Sequence, residues 1–202
     1  MERIAITSPD ASTRALDIIN RGGILIVPTD TVYGIGCDAR DEGVIATLFD
    51  IKRRPKEKSI AWLCADRNML AKYVEFDDER APQLFALWPG AFTAVFLVRG
   101  STETIGVRIP DYPFVTDLIS KVGSPLAVTS ANVSGEPARL NPDDIEHDFG
   151  NDIRVALLID GGVLPPSAPS SVIDFTVSPP RLVREGALSR EFLEGHFGCS
   201  LG

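Results

Sequence analysis

Nucleophiles and metal ligands are scarce in this chain. Its 202 residues include only three cysteines and two histidines. Cys37, Cys64 and Cys199 stand far apart with no CxxC pair, which argues against a zinc site or a disulfide framework. His147 and His196 fall on amphipathic helical stretches beside acidic residues and read as surface positions, so neither offers a Ser/His or Cys/His pair. No GxxxxGK[ST], HExxH or GxSxG pattern occurs. No apolar run approaches the ~18 residues that would span a bilayer. The opening MERIAITSPD has no signal-peptide core, so the expectation is a soluble, cytoplasmic protein with no membrane contact.

Positive charge is also in deficit. Twenty Lys and Arg face 28 Asp and Glu, a net charge of −8, which argues against general adhesion to nucleic acid. Yet five of those 20 basic residues lie in the seven from Lys52 to Lys58. An acidic protein that concentrates its cations in this way is a candidate for binding a compact anion. The plainer alternative is a solvated helix end, where cations favour the C-terminal dipole.

What the chain does have is a strand with a hydroxyl-rich mouth, ILIVPTDTVYGIGCD at Ile24–Asp38. Ile24–Val27 reads as a buried strand, and Pro28 ends its pairing because it has no amide hydrogen. Thr29, Asp30, Thr31 and Tyr33 follow, closed by Gly34 and Gly36, at the place where open α/β sheets hold ligands.

Along the rest of the chain, strands are expected at Ile4–Thr7, Ile60–Cys64, Phe92–Val98, Thr104–Ile109, Leu126–Val128, Val155–Ile159, Val172–Phe175 and Arg181–Arg184. Ser8-Pro9 suggests the start of a helix to about Asn20. Further helix starts are expected at Asp41, Asp66 (running through Val74), Asp77, Pro113, Asn141-Pro142 and Ser189. The irregular alternation predicts one α/β domain over residues 1–202, with a mixed sheet rather than a doubly wound parallel one. The stretch from Leu164 to Ser171 is too rich in proline and serine for regular structure.

Three segments outside the central stretch could carry chemistry. Lys52-Arg53-Arg54-Pro55 offers an ammonium and a guanidinium suited to phosphate oxygens. Thr129-Ser130-Ala131-Asn132-Val133-Ser134-Gly135 brings hydroxyls and an amide out of a strand, and Pro169-Ser170-Ser171-Val172-Ile173-Asp174 is followed by Arg184-Glu185-Gly186. Each is weak alone.

In this order, together with LWPGAFT at Leu87–Thr93 and VRIPD at Val107–Asp111, they resemble the YrdC/Sua5 family, the threonylcarbamoyl-AMP synthases of tRNA modification. The resemblance runs from about Gly22 to Gly186. It implies a twisted, largely antiparallel mixed sheet, flanked by helices around a concave cavity in the YrdC/RibB-like manner. It also implies synthesis of threonylcarbamoyl-adenylate and pyrophosphate from L-threonine, bicarbonate and ATP. A downstream tRNA threonylcarbamoyl transferase complex would then place the group on adenosine 37 of ANN-decoding tRNAs. By the same resemblance Lys52, Arg54, Ser130 and Asn132 are the catalytic set. They bind ATP together with Arg184, while Thr29, Thr31, Arg108, Thr129 and Ser170 handle threonine or bicarbonate. Mg²⁺ would arrive on the triphosphate, with no metal ligand from protein side chains, and any direct tRNA contact would be weak.

The chain departs from the family in one place. Where relatives often carry Pro-Leu and then a polar or histidine position, it has Ser59-Ile60 and Ala61-Trp62-Leu63. A YciO-type paralogue of uncertain substrate, an RNA-binding module using the same cationic cavity, and a carbamoyl-transfer domain of the hydrogenase-maturation type are the alternatives. Longer Sua5 members carry an additional C-terminal domain, so this chain is expected to be a single-domain member. The Leu164–Ser171 loop is a candidate lid, its alternative a plain surface connector.

Overall fold

A computed structural model describes residues 1–53, 55, 59–76 and 80–202. Its strands are β1 (Glu2–Ala5), β2 (Ile24–Val27), β3 (Gly34–Asp38), β4 (Ala61–Leu63), β5 (Val74–Glu75), β6 (Phe92–Val98), β7 (Thr104–Arg108), β8 (Leu126–Ser130), β9 (Val155–Asp160), β10 (Ser171–Asp174) and β11 (Arg181–Arg184). Its helices are α1 (Ala11–Asn20), α2 (Glu42–Ile51), α3 (Arg67–Tyr73), α4 (Ala81–Ala86), α5 (Pro113–Val122), α6 (Pro142–Phe149) and α7 (Arg190–Phe197).

All the strands join one sheet in the order β1-β9-β2-β3-β8-β4-β7-β6-β10-β11, with β5 pairing on β6. Among the described residues four strand pairs are parallel (β1/β9, β2/β9, β4/β7, β6/β10) and six antiparallel. The mixed, mainly antiparallel sheet expected from the sequence is therefore what forms.

Side chains alternate between the two faces of each strand, and this alternation sorts the core. Ile24, Ile26, Ile35, Cys37, Ala127 and Leu158 meet Leu48 and Ile51 of α2 and Ile145 and Phe149 of α6. Further along the same face, Ala94, Phe92, Val107 and Ile173 pack on Leu70, Leu84, Leu193 and Phe197 of α3, α4 and α7. The opposite face carries Leu25, Val27, Leu157, Leu126, Val128 and Leu63, covered by Ala11, Ala15 and Ile19 of α1 and Val115, Leu118 and Ile119 of α5. Among the described residues that cover ends near β8 and β4. Beyond it Ala61, Val95 and Val172 remain only half-buried, so the sheet offers an open patch on one side.

Asp41, Asp66, Asn141 and Ser189 cap their helices as the sequence suggests, each accepting a backbone N–H of the first turn. The start of α1 differs. Ser8 and Pro9 form a turn in which the Ser8 carbonyl takes the Ala11 N–H at 3.1 Å, and the helix begins only at Ala11 behind Asp10. Val74, expected to end a helix, instead pairs with Val98 as part of β5. The helix start expected at Asp77 lies outside the described residues. β3 is an addition to the strands expected from the sequence.

Candidate active site

The segment between β2 and β3 brings its polar groups inward. Thr29 donates its hydroxyl proton to the Val32 carbonyl (2.6 Å) and accepts the Thr31 N–H (3.2 Å). The Thr29 and Thr31 hydroxyls lie 3.1 Å apart, and with Thr29's proton committed, Thr31 must be the donor between them. Arg108, at the end of β7, reaches this loop. Its Nη1 donates to Thr31 Oγ1 at 3.0 Å, Nη2 to Asp30 Oδ1 at 2.6 Å and Nε to the Gly90 carbonyl at 2.9 Å.

The Arg108 side chain is 7% exposed and that of Asp30 14%. Burial pulls the guanidinium below its ordinary pKa, partly opposed by Asp30, yet an arginine stays charged in any working buffer. The pair therefore fixes a cation and an anion side by side at the edge of the open patch.

A second group forms where β8 ends. Gly34 of β3 faces Ser130 of β8, and a Cβ at Gly34 would sit 2.6 Å from Val128 Cγ1, so only glycine lets the strands close here. Ser130 Oγ donates to Asn132 Oδ1 at 2.5 Å, and Asn132 Nδ2 donates to the carbonyls of Val133 (2.9 Å) and Glu136 (2.7 Å). Lys52 leaves the end of α2 and turns inward, with almost no exposure. Its ammonium donates to the Ser130 and Asn132 carbonyls, the latter at 2.8 Å, and lies 3.5 Å from Asn132 Oδ1. Arg53 follows at φ 50°, a left-handed backbone that costs a non-glycine residue about 1–2 kcal/mol, and its side chain is exposed where that of Lys52 is buried.

The third group sits where β10 begins. Ser170 Oγ lies 2.8 Å from Thr93 Oγ1 of β6 and accepts Arg184 Nη2 at 3.2 Å, while Arg184 Nε donates to the Ser170 carbonyl at 3.0 Å. Gly186 permits this approach, because a Cβ there would meet the Pro169 carbonyl oxygen at 2.2 Å. The Pro/Ser stretch has a buried residue towards each end, Leu164 and Ser170, and Pro165–Ala168 between them are exposed.

The register places the strand residues of these groups on one side of the sheet. Ala94 pairs with Val107, which puts Thr93 beside Arg108, and Ala61, Gly106, Val128, Ser130 and Gly34 follow across the same face. Of the residues singled out from the sequence, Thr29, Thr31 and Arg108 form one cluster, Lys52, Ser130 and Asn132 another, and Ser170 and Arg184 a third. Thr129 stands apart. It pairs with Ile35, on the face that packs against α2 and α6. Arg54 lies outside the described residues. Asp30, Thr93 and the Gly90 carbonyl belong to the same groups and were missed. Asp30 had a readable signal, an acid between two threonines at the mouth of a strand, but its pairing with Arg108 is made only by the fold.

Residues 17–186 match the Sua5/YciO/YrdC family, described as telomere recombination. A Vibrio vulnificus (strain YJ016) protein named threonylcarbamoyl-AMP synthase is 34% identical over 179 residues, which cover 83% of this chain and 94% of the relative. One of the same name from Shigella boydii serotype 4 (strain Sb227) is 33% identical over 169 residues, covering 78% and 89%. Among solved structures, P. abyssi Sua5 complexed with L-threonine superposes with a TM-score of 0.88 at 29% identity, over 100% of this chain and 62% of that one. This chain thus spans less than two thirds of the P. abyssi protein. E. coli YciO gives a TM-score of 0.81 at 27% identity, covering 92% and 94%.

Proposed function

Because the chain belongs to the Sua5/YciO/YrdC family, we propose that it is a threonylcarbamoyl-AMP synthase, a nucleotidyltransferase joining L-threonine, bicarbonate and ATP with release of pyrophosphate. The observation that carries this reading is the arrangement around the open patch. The Arg108–Asp30–Thr31 network lies on the same sheet face as the Lys52-pinned loop at Ser130–Asn132, with Ser170 and Arg184 beside Thr93.

The chemistry asks for no protein nucleophile. Threonine's ammonium and bicarbonate condense to the N-carboxylate, releasing water and one proton. A carboxylate oxygen then attacks the α-phosphorus of ATP, and the bond to pyrophosphate breaks. The main barrier is bringing mutually repelling anions into line, which positioned cations and amides lower. At ~4 Å and an effective dielectric of ~20, each cation contributes about 4 kcal/mol of raw attraction before desolvation is deducted. Arg184 and Arg54 serve the triphosphate in this reading, with Mg²⁺ carried on its oxygens. Lys52 lends its charge while holding the Ser130–Asn132 loop, and Arg108 serves the amino acid carboxylate. The product would pass to a tRNA threonylcarbamoyl transferase complex acting at position 37 of ANN-decoding tRNAs.

The reading is tested by pyrophosphate release with ATP, omitting threonine or bicarbonate in turn. Release that needs all three substrates is the expected result. Release indifferent to threonine favours a YciO-type paralogue, a reading to which the apolar Ala61 on the site face lends support.

A further inference from the structure

The proton inventory of the β2–β3 loop points past its two threonine hydroxyls to the acid between them. Thr29's single hydroxyl proton goes to Val32, and Thr31's goes to Thr29 while its oxygen accepts Arg108. Both side chains are buried, with Thr29 5% and Thr31 2% exposed. Neither threonine has a proton left to give a ligand. Asp30 is placed differently. Its Oδ1 is held by Arg108 Nη2 at 2.6 Å, and among the described residues its Oδ2 takes no hydrogen bond. No buried side-chain polar atom among those residues lacks a partner, so this oxygen keeps access to solvent.

We propose that Asp30 is the residue that binds the α-ammonium of the amino acid substrate, through Oδ2, while Arg108 clamps its other oxygen. This rests on the synthase reading and deepens it. An amino acid presents a cation and an anion on one carbon, and the Asp30–Arg108 pair presents the complementary anion and cation side by side. Arg108 uses one N–H each at Nε, Nη1 and Nη2 for the protein, which leaves two of its five for a carboxylate. Thr29 and Thr31 are then positioning residues that hold the pair in register. The arrangement selects α-amino acids over hydroxy acids, because a hydroxyl in place of the ammonium would forfeit a charge-assisted hydrogen bond.

The test compares binding of L-threonine with that of 2,3-dihydroxybutanoate, which has a hydroxyl where threonine has its ammonium, by calorimetry on the full chain. Wild type should prefer threonine by about 10- to 100-fold, the discrimination expected of a hydrogen bond to a charged group. Asp30→Asn should lose most of that preference while its affinity for ATP, measured separately, stays within about twofold of wild type. Wild type binding both ligands equally overturns the proposal without any variant, which guards against an Asp30→Asn protein that fails to fold. So does an Asp30→Asn protein that still discriminates as wild type does, or one that loses both ligands equally, since Asp30 would then act only by holding Arg108. If threonine binds and the preference behaves as stated, yet pyrophosphate release ignores threonine, the synthase reading fails and the ammonium site stands. If wild type binds no threonine, both fail.

Discussion

Replacing Lys52 with methionine separates two roles that a buried lysine in a basic segment could have. The side chain is 1% exposed, and its ammonium is spent on the carbonyls of Ser130 and Asn132. Methionine keeps much of the stem's volume and removes the donor. The Ser130 carbonyl retains the Asn132 N–H at 3.0 Å, so its loss is partial, while the Asn132 carbonyl gives up a charged donor at 2.8 Å. A hydrogen bond to a charged group contributes about 1.5–3 kcal/mol, and a buried carbonyl left without its donor costs about 1–3 kcal/mol. Release of the ammonium's own desolvation cost offsets part of this. A net destabilisation of about 2–4 kcal/mol is the outcome, equivalent to a fall in Tm of about 5–12 °C for a chain of this length.

Thermal and urea unfolding of Lys52→Met, Asn132→Ala and the double variant give the measurement. Because both residues hold one loop, the double variant should be less destabilised than the sum of the singles. The ATP affinity of Lys52→Met should also fall, since Ser130 and Asn132 lose the support that aims them. A Lys52→Met protein with wild-type stability and weakened ATP binding would refute the reasoning, because Lys52 would then be a ligand contact and not a tie. Strict additivity would refute it as well.

Two further outcomes follow from titrating groups that are buried or half-buried. Burial pushes the Cys37 and Cys64 thiols up to about 12, and nearby aspartates add to the effect, whereas Cys199 is exposed. Alkylation of the native protein at pH 8 should therefore label Cys199 alone, with all three cysteines labelled in denaturant; rapid native labelling of Cys37 or Cys64 would contradict the packing. In Asp160 and Asp174, burial alone would raise the carboxyl pKa. It is outweighed in Asp160 by the Gly162 N–H and Arg3, and in Asp174 by Thr176 and Arg181, so both end below the ordinary value. A carboxyl with a depressed folded-state pKa stabilises above its unfolded value and loses that contribution as pH falls through the folded one. Stability should hold from neutral pH to about pH 4 and drop below it, with Asp160→Asn showing a shallower acid loss; an unchanged acid profile in that variant would remove Asp160 from the account.

The sequence made much of this fold legible because its local and global signals agree. Asp41, Asp66, Asn141 and Ser189 sit where helices start, and Phe92–Val98 is a strand to the residue. The failures have physical causes. Gly34–Asp38 did not read as a strand because two of its five residues are glycines, and glycines weaken strand propensity. They are there because β8 approaches too closely for a Cβ, which is a tertiary fact. Ser8-Pro9 has the composition of a helix start, but its backbone closes a turn first. In the candidate site, motif order singled out segments that the structure gathers into three polar clusters. It could not tell that Thr129 and Ser130, adjacent in sequence, point to opposite faces. Nor could it show that Thr29 and Thr31 bond each other inward.

That inward bonding bears on how such a site works. Thr29, Thr31, Ser130 and Asn132 each meet a protein partner, so their geometry is fixed before any substrate arrives. A hydroxyl that must swing from a protein partner to a ligand offers little net gain, since one hydrogen bond is exchanged for another. On the proposed reading, what remains for recognition is charge held in place: the Asp30–Arg108 pair at one end of the patch and Arg184 at the other, with strand residues as small as Gly106 and Ala61 between them. Groups set in this way need no reorganisation as negative charge builds on a transferring phosphate, which is the condition under which electrostatic stabilisation contributes most to rate. On the proposed reading, the polar residues that look most like catalysts in the sequence are the scaffold, and the Asp30–Arg108 pair and Arg184 are the working parts.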